Sequence, residues 1–161
     1  MLSNSELHLD VFGWDENGRL KVIWSRLIQP GVNQKNKRLQ IMPNPVQDVD
    51  GDGQLEIVVS IYDRANQIHW HTEVIDPQTG IIRYNLTGFC VIDLMDLNGD
   101  GASELFGLQS DQMEPHLDFV QCRNGQTETL WCQEQAAFET TSKVIFRFTT
   151  ERVRTGFGHH Y

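Results

Sequence analysis

Cysteine is scarce in this chain of 161 residues. There are three, Cys90, Cys122 and Cys132, and an odd number builds no disulfide framework. Cys122 and Cys132 flank a turn at Asn124-Gly125 that sets Cys122 opposite Thr127. Cys132 then lies five residues further on, roughly 17 Å away, too far for a bridge without a register change, so three thiols are expected. Positive charge is also short: 13 Lys and Arg stand against 22 Asp and Glu, for a formal net charge of −9. That balance argues against non-specific nucleic-acid binding and against an anionic membrane surface, both of which need basic patches. No apolar run approaches the roughly 18 residues of a spanning helix. Residues 1–10 show neither a basic n-region nor an apolar h-region, so no secretory signal is visible there. Amphipathic helical spacing is nearly absent too; only the end of 127–138 approaches it.

Catalytic signatures are equally sparse. There is no Gly-x-Ser-x-Gly elbow, no Gly-x-x-x-x-Gly-Lys phosphate loop and no Cys-x-x-Cys pair. What the chain does contain is short β-rich runs separated by Gly, Asn, Asp and Pro. Strands are predicted at 7–13, 20–26, 38–42, 55–62, 68–75, 81–86, 89–94, 104–108, 116–122, 128–132 and 143–148. Turns are predicted at Glu16-Asn17-Gly18, Pro77-Gln78-Thr79-Gly80 and Arg123-Asn124-Gly125, where Asn and Gly tolerate the positive φ of tight hairpins. Eleven short strands with frequent turns mean an all-β protein, and an apolar fraction of 39% with a charged fraction of 22% fits one soluble globular domain.

An internal repeat organises these strands. Asp48-Val49-Asp50-Gly51-Asp52-Gly53-Gln54-Leu55-Glu56 recurs 48 residues later as Asp96-Leu97-Asn98-Gly99-Asp100-Gly101-Ala102-Ser103-Glu104. The unit reads strand, acidic loop, strand, strand, turn, strand, which is the size and strand count of one β-propeller blade. The chain then parses as a half-blade over 7–37, blades over 38–87 and 88–138, and a closing strand with a mobile tail over 139–161, about three four-stranded antiparallel units in all. Propellers close with four to eight blades. Three leave edges to be covered by further blades of a larger chain or by other subunits.

The acidic loops have the logic of a calcium site. Ca²⁺ takes six to eight oxygens, and alternate residues of a tight loop can aim theirs inward, with a Gly for the sharp turn. The expected ligands are Asp48, Asp50, Asp52, the Gln54 carbonyl and Glu56 in the first loop. In the second they are Asp96, Asn98, Asp100, the Ala102 carbonyl and Glu104. An EF-hand needs Glu at position 12, where this chain has Val59 and Gly107, and helices where it has strands.

On these residues the chain resembles the FG-GAP/VCBS-type repeats of calcium-binding β-propellers, found in integrin α-subunit heads, bacterial surface proteins and rhamnogalacturonan lyases. The resemblance covers residues 38–138; the Phe-Gly and Gly-Ala-Pro elements that name the repeat are not recognisable. It implies two structural Ca²⁺ ions and an extracellular or cell-surface module for binding, adhesion or assembly, with a carbohydrate or protein ligand. The alternative it implies is a fragment of a polysaccharide lyase, for which His69, His71 or His116 would be the first acid/base candidates. Read from the residues alone, His69 and His71 share one strand face around Trp70. Trp14, Trp24, Trp70, Trp131 and Tyr84 are expected in the core between blades. Asn85-Leu86-Thr87 matches a glycosylation sequon.

Overall fold

The structure is a computed structural model that describes residues 6–29, 37–63, 70–110 and 115–133. The expected strand at 143–148, the tail, His69 and His159-His160 lie outside the described residues. Ten strands run in order: β1 (Leu7–Trp14), β2 (Leu20–Gln29), β3 (Lys37–Gln47), β4 (Glu56–Asp63), β5 (Trp70–Ile75), β6 (Ile82–Thr87), β7 (Phe89–Met95), β8 (Glu104–Gln109), β9 (His116–Arg123) and β10 (Gln126–Gln133). Every pairing is antiparallel, and the strands form a β1-β2 hairpin and two four-stranded meanders, β3-β4-β5-β6 and β7-β8-β9-β10. The all-β expectation therefore holds. Among the described residues no helix is long and apolar enough to cross a membrane.

Local sequence explains the turns. Asn124 and Gly125 both have positive φ, 52° and 75°, the signature of a two-residue type I′ hairpin. That turn sets the expected register, Arg123 opposite Gln126 and Cys122 opposite Thr127. None of the three cysteines is in a disulfide. β3 runs past its predicted end through Pro43 and Pro45, with a register slip between Ile41 and Val46. Proline lacks an N–H, and an edge strand tolerates that loss.

The β3–β6 sheet is the middle layer. Val58, Val74, Tyr84 and Leu86 on one face join Phe89, Val91, Leu94, Leu105, Val120 and Cys122 of the other meander in one core. Ile57, Val59, Ile61 and Ile75 on the opposite face meet Leu9 and Ile28 of the hairpin, with Trp24 packed against them. β4 is covered on both sides, which is why it reads as an almost unbroken apolar run rather than an alternating one. The hairpin is also pinned by an ion pair between Arg26 Nη2 and the buried Glu73 Oε2 of β5, and by a bond from Trp24 Nε1 to the Pro77 carbonyl, 2.9 Å.

Two aromatic expectations are corrected. Tyr84 is in the core, Trp24 packs against the second cluster and Trp70 is half-buried against Tyr62. Trp14, however, is 72% exposed, and Trp131 is exposed on edge strand β10 with the Phe119 ring beside it. Trp14 sits at the tip of the hairpin, where no further layer of the described residues covers it.

Candidate metal centre

In a meander, the first and third connections lie at the same end of the sheet. The β3–β4 loop carrying Asp48–Glu56 therefore sits beside the Pro77–Gly80 turn, and the β7–β8 loop carrying Asp96–Glu104 beside Asn124-Gly125. The stacking of the two sheets also brings the two acidic loops together. Ser103 N–H donates to the Asp48 carbonyl at 2.8 Å, and Ser103 Oγ to Gln47 Oε1 at 2.6 Å.

The loops fold alike. Asp48 accepts the Gly51 and Gly53 N–H groups at 2.7 and 2.9 Å; Asp96 accepts those of Gly99 and Gly101 at 2.7 and 3.0 Å. Asp50 and Asn98 accept the N–H of Asp52 and Asp100, and these in turn accept the N–H of Gln54 and Ala102. Glycine is required at the two turn positions, with φ of 77° and 82° in the first loop and 78° and 93° in the second. Glu56 and Glu104, both buried, reach back to the N–H of Val49 and Leu97, at 3.1 and 2.8 Å. Each side chain at positions 1, 3, 5 and 9 thus organises its own loop before any ion is considered.

The loops differ in convergence. Carboxylate oxygens of Asp48, Asp50 and Glu56 lie within 4.8 Å of one another, whereas those of Asp96, Asp100 and Glu104 do not gather in this way. Among the described residues, the buried Glu56 Oε1 makes no hydrogen bond and has only an ion-pair contact, with Arg83 Nη1 at 3.2 Å. The matching Glu104 Oε1 receives a hydrogen bond from Asn98 Nδ2, at 3.1 Å. Asn in place of Asp therefore changes the second loop's chemistry: its amide N–H donates to the oxygen whose counterpart in the first loop has only the ion pair with Arg83.

Arginine was not among the expected site residues, yet one faces each loop. Arg83 Nη1 lies 2.7 Å from Asp52 Oδ2, 3.4 Å from Asp50 Oδ2 and 3.2 Å from Glu56 Oε1, and its Nη2 is 3.3 Å from Asp76 Oδ2. Arg123 pairs with Asp100. The bond from Arg83 holds the Asp52 carboxyl below its usual range, and the same contact raises Arg83. The N–H of Ala102, chiefly, lowers Asp100. Burial pushes Glu56 the other way, up to about 7, since the Val49 N–H and Arg83 only partly offset its loss of water. The signal for these arginines was weak, because each lies across a turn from its loop and no local spacing links them.

The residues of the first loop fit a hard divalent cation: three convergent carboxylates, one buried oxygen whose cationic neighbour makes no hydrogen bond to it, and oxygen-only chemistry. A cation there would take over the role that the Arg83 guanidinium now fills. The second loop offers the same backbone frame with fewer converging oxygens. Of the histidine candidates, His71 is half-buried with Nε2 3.5 Å from Glu73 Oε1, and His116 is on β9, in the other sheet. The structure does not bring these two together as an acid/base pair. In comparisons with known proteins, no family model matches the chain, and no curated protein or solved structure matches it significantly.

Proposed function

We propose that this chain is a calcium-stabilised module of β-propeller type that works by binding or assembly, with Ca²⁺ in a structural role. The observation that carries this reading is the convergence of Asp48, Asp50 and the buried Glu56, whose Oε1 has an ion pair with Arg83 but no hydrogen bond among the described residues, inside a loop whose frame is repeated at Asp96–Glu104. The assembly part is supported by the β1-β2 hairpin. It is a two-stranded sheet where its neighbours have four strands, and its Phe12, Trp14, Leu20 and Val22 are exposed. Further strands of propeller type would extend it and cover that surface. Sites of modest affinity fill at extracellular calcium, near 10⁻³ M, which favours action outside the cell.

Calorimetric titration of the chelated full-length chain tests the reading. Two sites are expected, the first loop binding more tightly. Asp52→Ala and Asp100→Ala should each remove one and spare the other. A ligand held 100-fold above Kd stabilises the fold by about 2.7 kcal/mol, so chelator should lower the melting temperature. No calcium uptake, or a melting temperature indifferent to chelator, refutes the proposal and leaves both loops as Asp-Gly turns held by arginine.

A further inference from the structure

A second group of ligand-type side chains lies away from the acidic loops, on the face of the β7–β10 sheet turned towards β6. His116 and Asp118, two residues apart on β9, share that face. Cys132 of β10 sits directly opposite Asp118 in the ladder. A slip of register between Thr129 and Trp131 puts it there, because it reverses the alternation of the strand's last residues. One donor atom each from His116, Asp118 and Cys132 lies within 4.8 Å of the other two, and His116 Nε2 is 3.4 Å from Asp118 Oδ2.

Asp118 supplies the second, independent observation. It is only 5% exposed, and its buried Oδ1 has no hydrogen-bond partner among the described residues. A buried carboxylate oxygen left without a donor is costly, and native folds seldom keep one without a use. His116 engages the other oxygen and leaves this one open. The three residues line a cleft of about 570 Å³ between the two sheets, with Asn85 and Thr87 of β6 on its far wall.

We infer that His116, Asp118 and Cys132 form a site for a zinc-class divalent ion. An imidazole nitrogen, a carboxylate oxygen and a thiolate sulfur are together a set that zinc accepts, whereas Ca²⁺ and Mg²⁺ take oxygen. Cys132 binds as the thiolate and gives its proton to solvent. Three protein ligands leave the fourth tetrahedral position facing the cleft, for water or a ligand atom entering it. The inference is independent of calcium in the loops.

Cobalt is the probe, as a coloured substitute for zinc. The reduced full-length chain, saturated with calcium so that the loops are occupied, is titrated with Co²⁺. Expected are the intense visible bands of four-coordinate cobalt, a thiolate-to-cobalt band in the near ultraviolet, and loss of both on adding Zn²⁺. Cys132→Ser should abolish the thiolate band, and Asp118→Asn should weaken binding by at least about tenfold, since even outer partners of a metal are worth that much. A measurement on unaltered protein guards against variants that misfold: zinc should slow alkylation of Cys132, read by mass spectrometry, by at least about tenfold. Cobalt held at the acidic loops or at His159-His160 gives no thiolate band. Absence of that band, its survival in Cys132→Ser, or alkylation indifferent to zinc overturns the inference.

Discussion

Replacing Arg83 with leucine separates the resident cation of the first loop from the carboxylates it serves. Without calcium, the guanidinium is the charge that compensates Glu56, which is buried, and it also contacts Asp50, Asp52 and Asp76. Above pH 7, where Glu56 carries its charge, leaving it buried without its partner costs up to about 3 kcal/mol, and the partial exposure of Arg83 makes that a ceiling. The more exposed aspartates add little, because water screens them. In a chain of this length that loss lowers the melting temperature by up to roughly 10 °C in chelator. With calcium the sign reverses. With Arg83 Nη1 3.4 Å from Asp50 Oδ2 and a Ca–O bond of about 2.4 Å, a dication bound to Asp50 in the wild type would have the guanidinium charge about 5 Å away. Even with the dielectric constant of bulk water, that repulsion is about 1.7 kcal/mol, a factor of roughly 15 in affinity. Arg83→Leu should therefore be less stable than wild type in chelator, bind calcium at least about tenfold more tightly, and recover more stability on calcium addition. Thermal melts in chelator and in calcium, with calorimetric titration of both proteins, measure all three. Equal or weaker calcium affinity in the variant would refute the placement of the ion among Asp48, Asp50 and Glu56.

Glu56 also predicts a pH dependence. Its carboxyl ionises at the ordinary 4.5 in the unfolded chain but at about 7 in the folded one. The folded state holds the extra proton between those values, so stability in chelator is full below pH 4.5 and is lost as pH rises through 7. The loss is at most about 3 kcal/mol, and screening through the open loop reduces it. Glu56→Gln should remove this fall in urea midpoint between pH 5 and pH 8; a variant that keeps the wild-type slope would show that another group carries it. Gly107→Ala tests the close packing of β8 against its neighbour β7 within the second sheet. A Cβ there would lie 2.5 Å from both the Cys90 carbonyl oxygen and the Phe89 ring, so destabilisation of at least about 2 kcal/mol is expected in urea unfolding, and a change under 0.5 kcal/mol would contradict the close approach.

Strands, turns and the repeat were legible because their causes are local. Alternation along β9, the positive φ that Asn124-Gly125 tolerates, and the Asp-x-Asp/Asn-x-Asp-Gly loops each act over fewer than ten residues. The hydrogen bonds inside the loops, from backbone N–H to a nearby carboxylate, follow from that spacing alone. The exposure of Trp14 and Trp131 was not legible, because an aromatic on a strand reads the same whether or not another layer covers it.

The long-range pairings arose from stacking. Arg83 meets Asp50 and Glu56 across 33 and 27 positions of chain, and nothing in the run Ile82-Arg83-Tyr84 marks it as a partner of an acidic loop. Cys132 faces Asp118 only because β10 slips its register, a shift that composition does not encode. The contact between the two loops, Ser103 N–H to the Asp48 carbonyl, exists only once one sheet lies on the other. Local chemistry sets backbone geometry residue by residue, so it can be read along the chain. Which charges and ligand atoms come within a few ångströms depends on burying two apolar sheet faces together, and that is a property of the assembled layers.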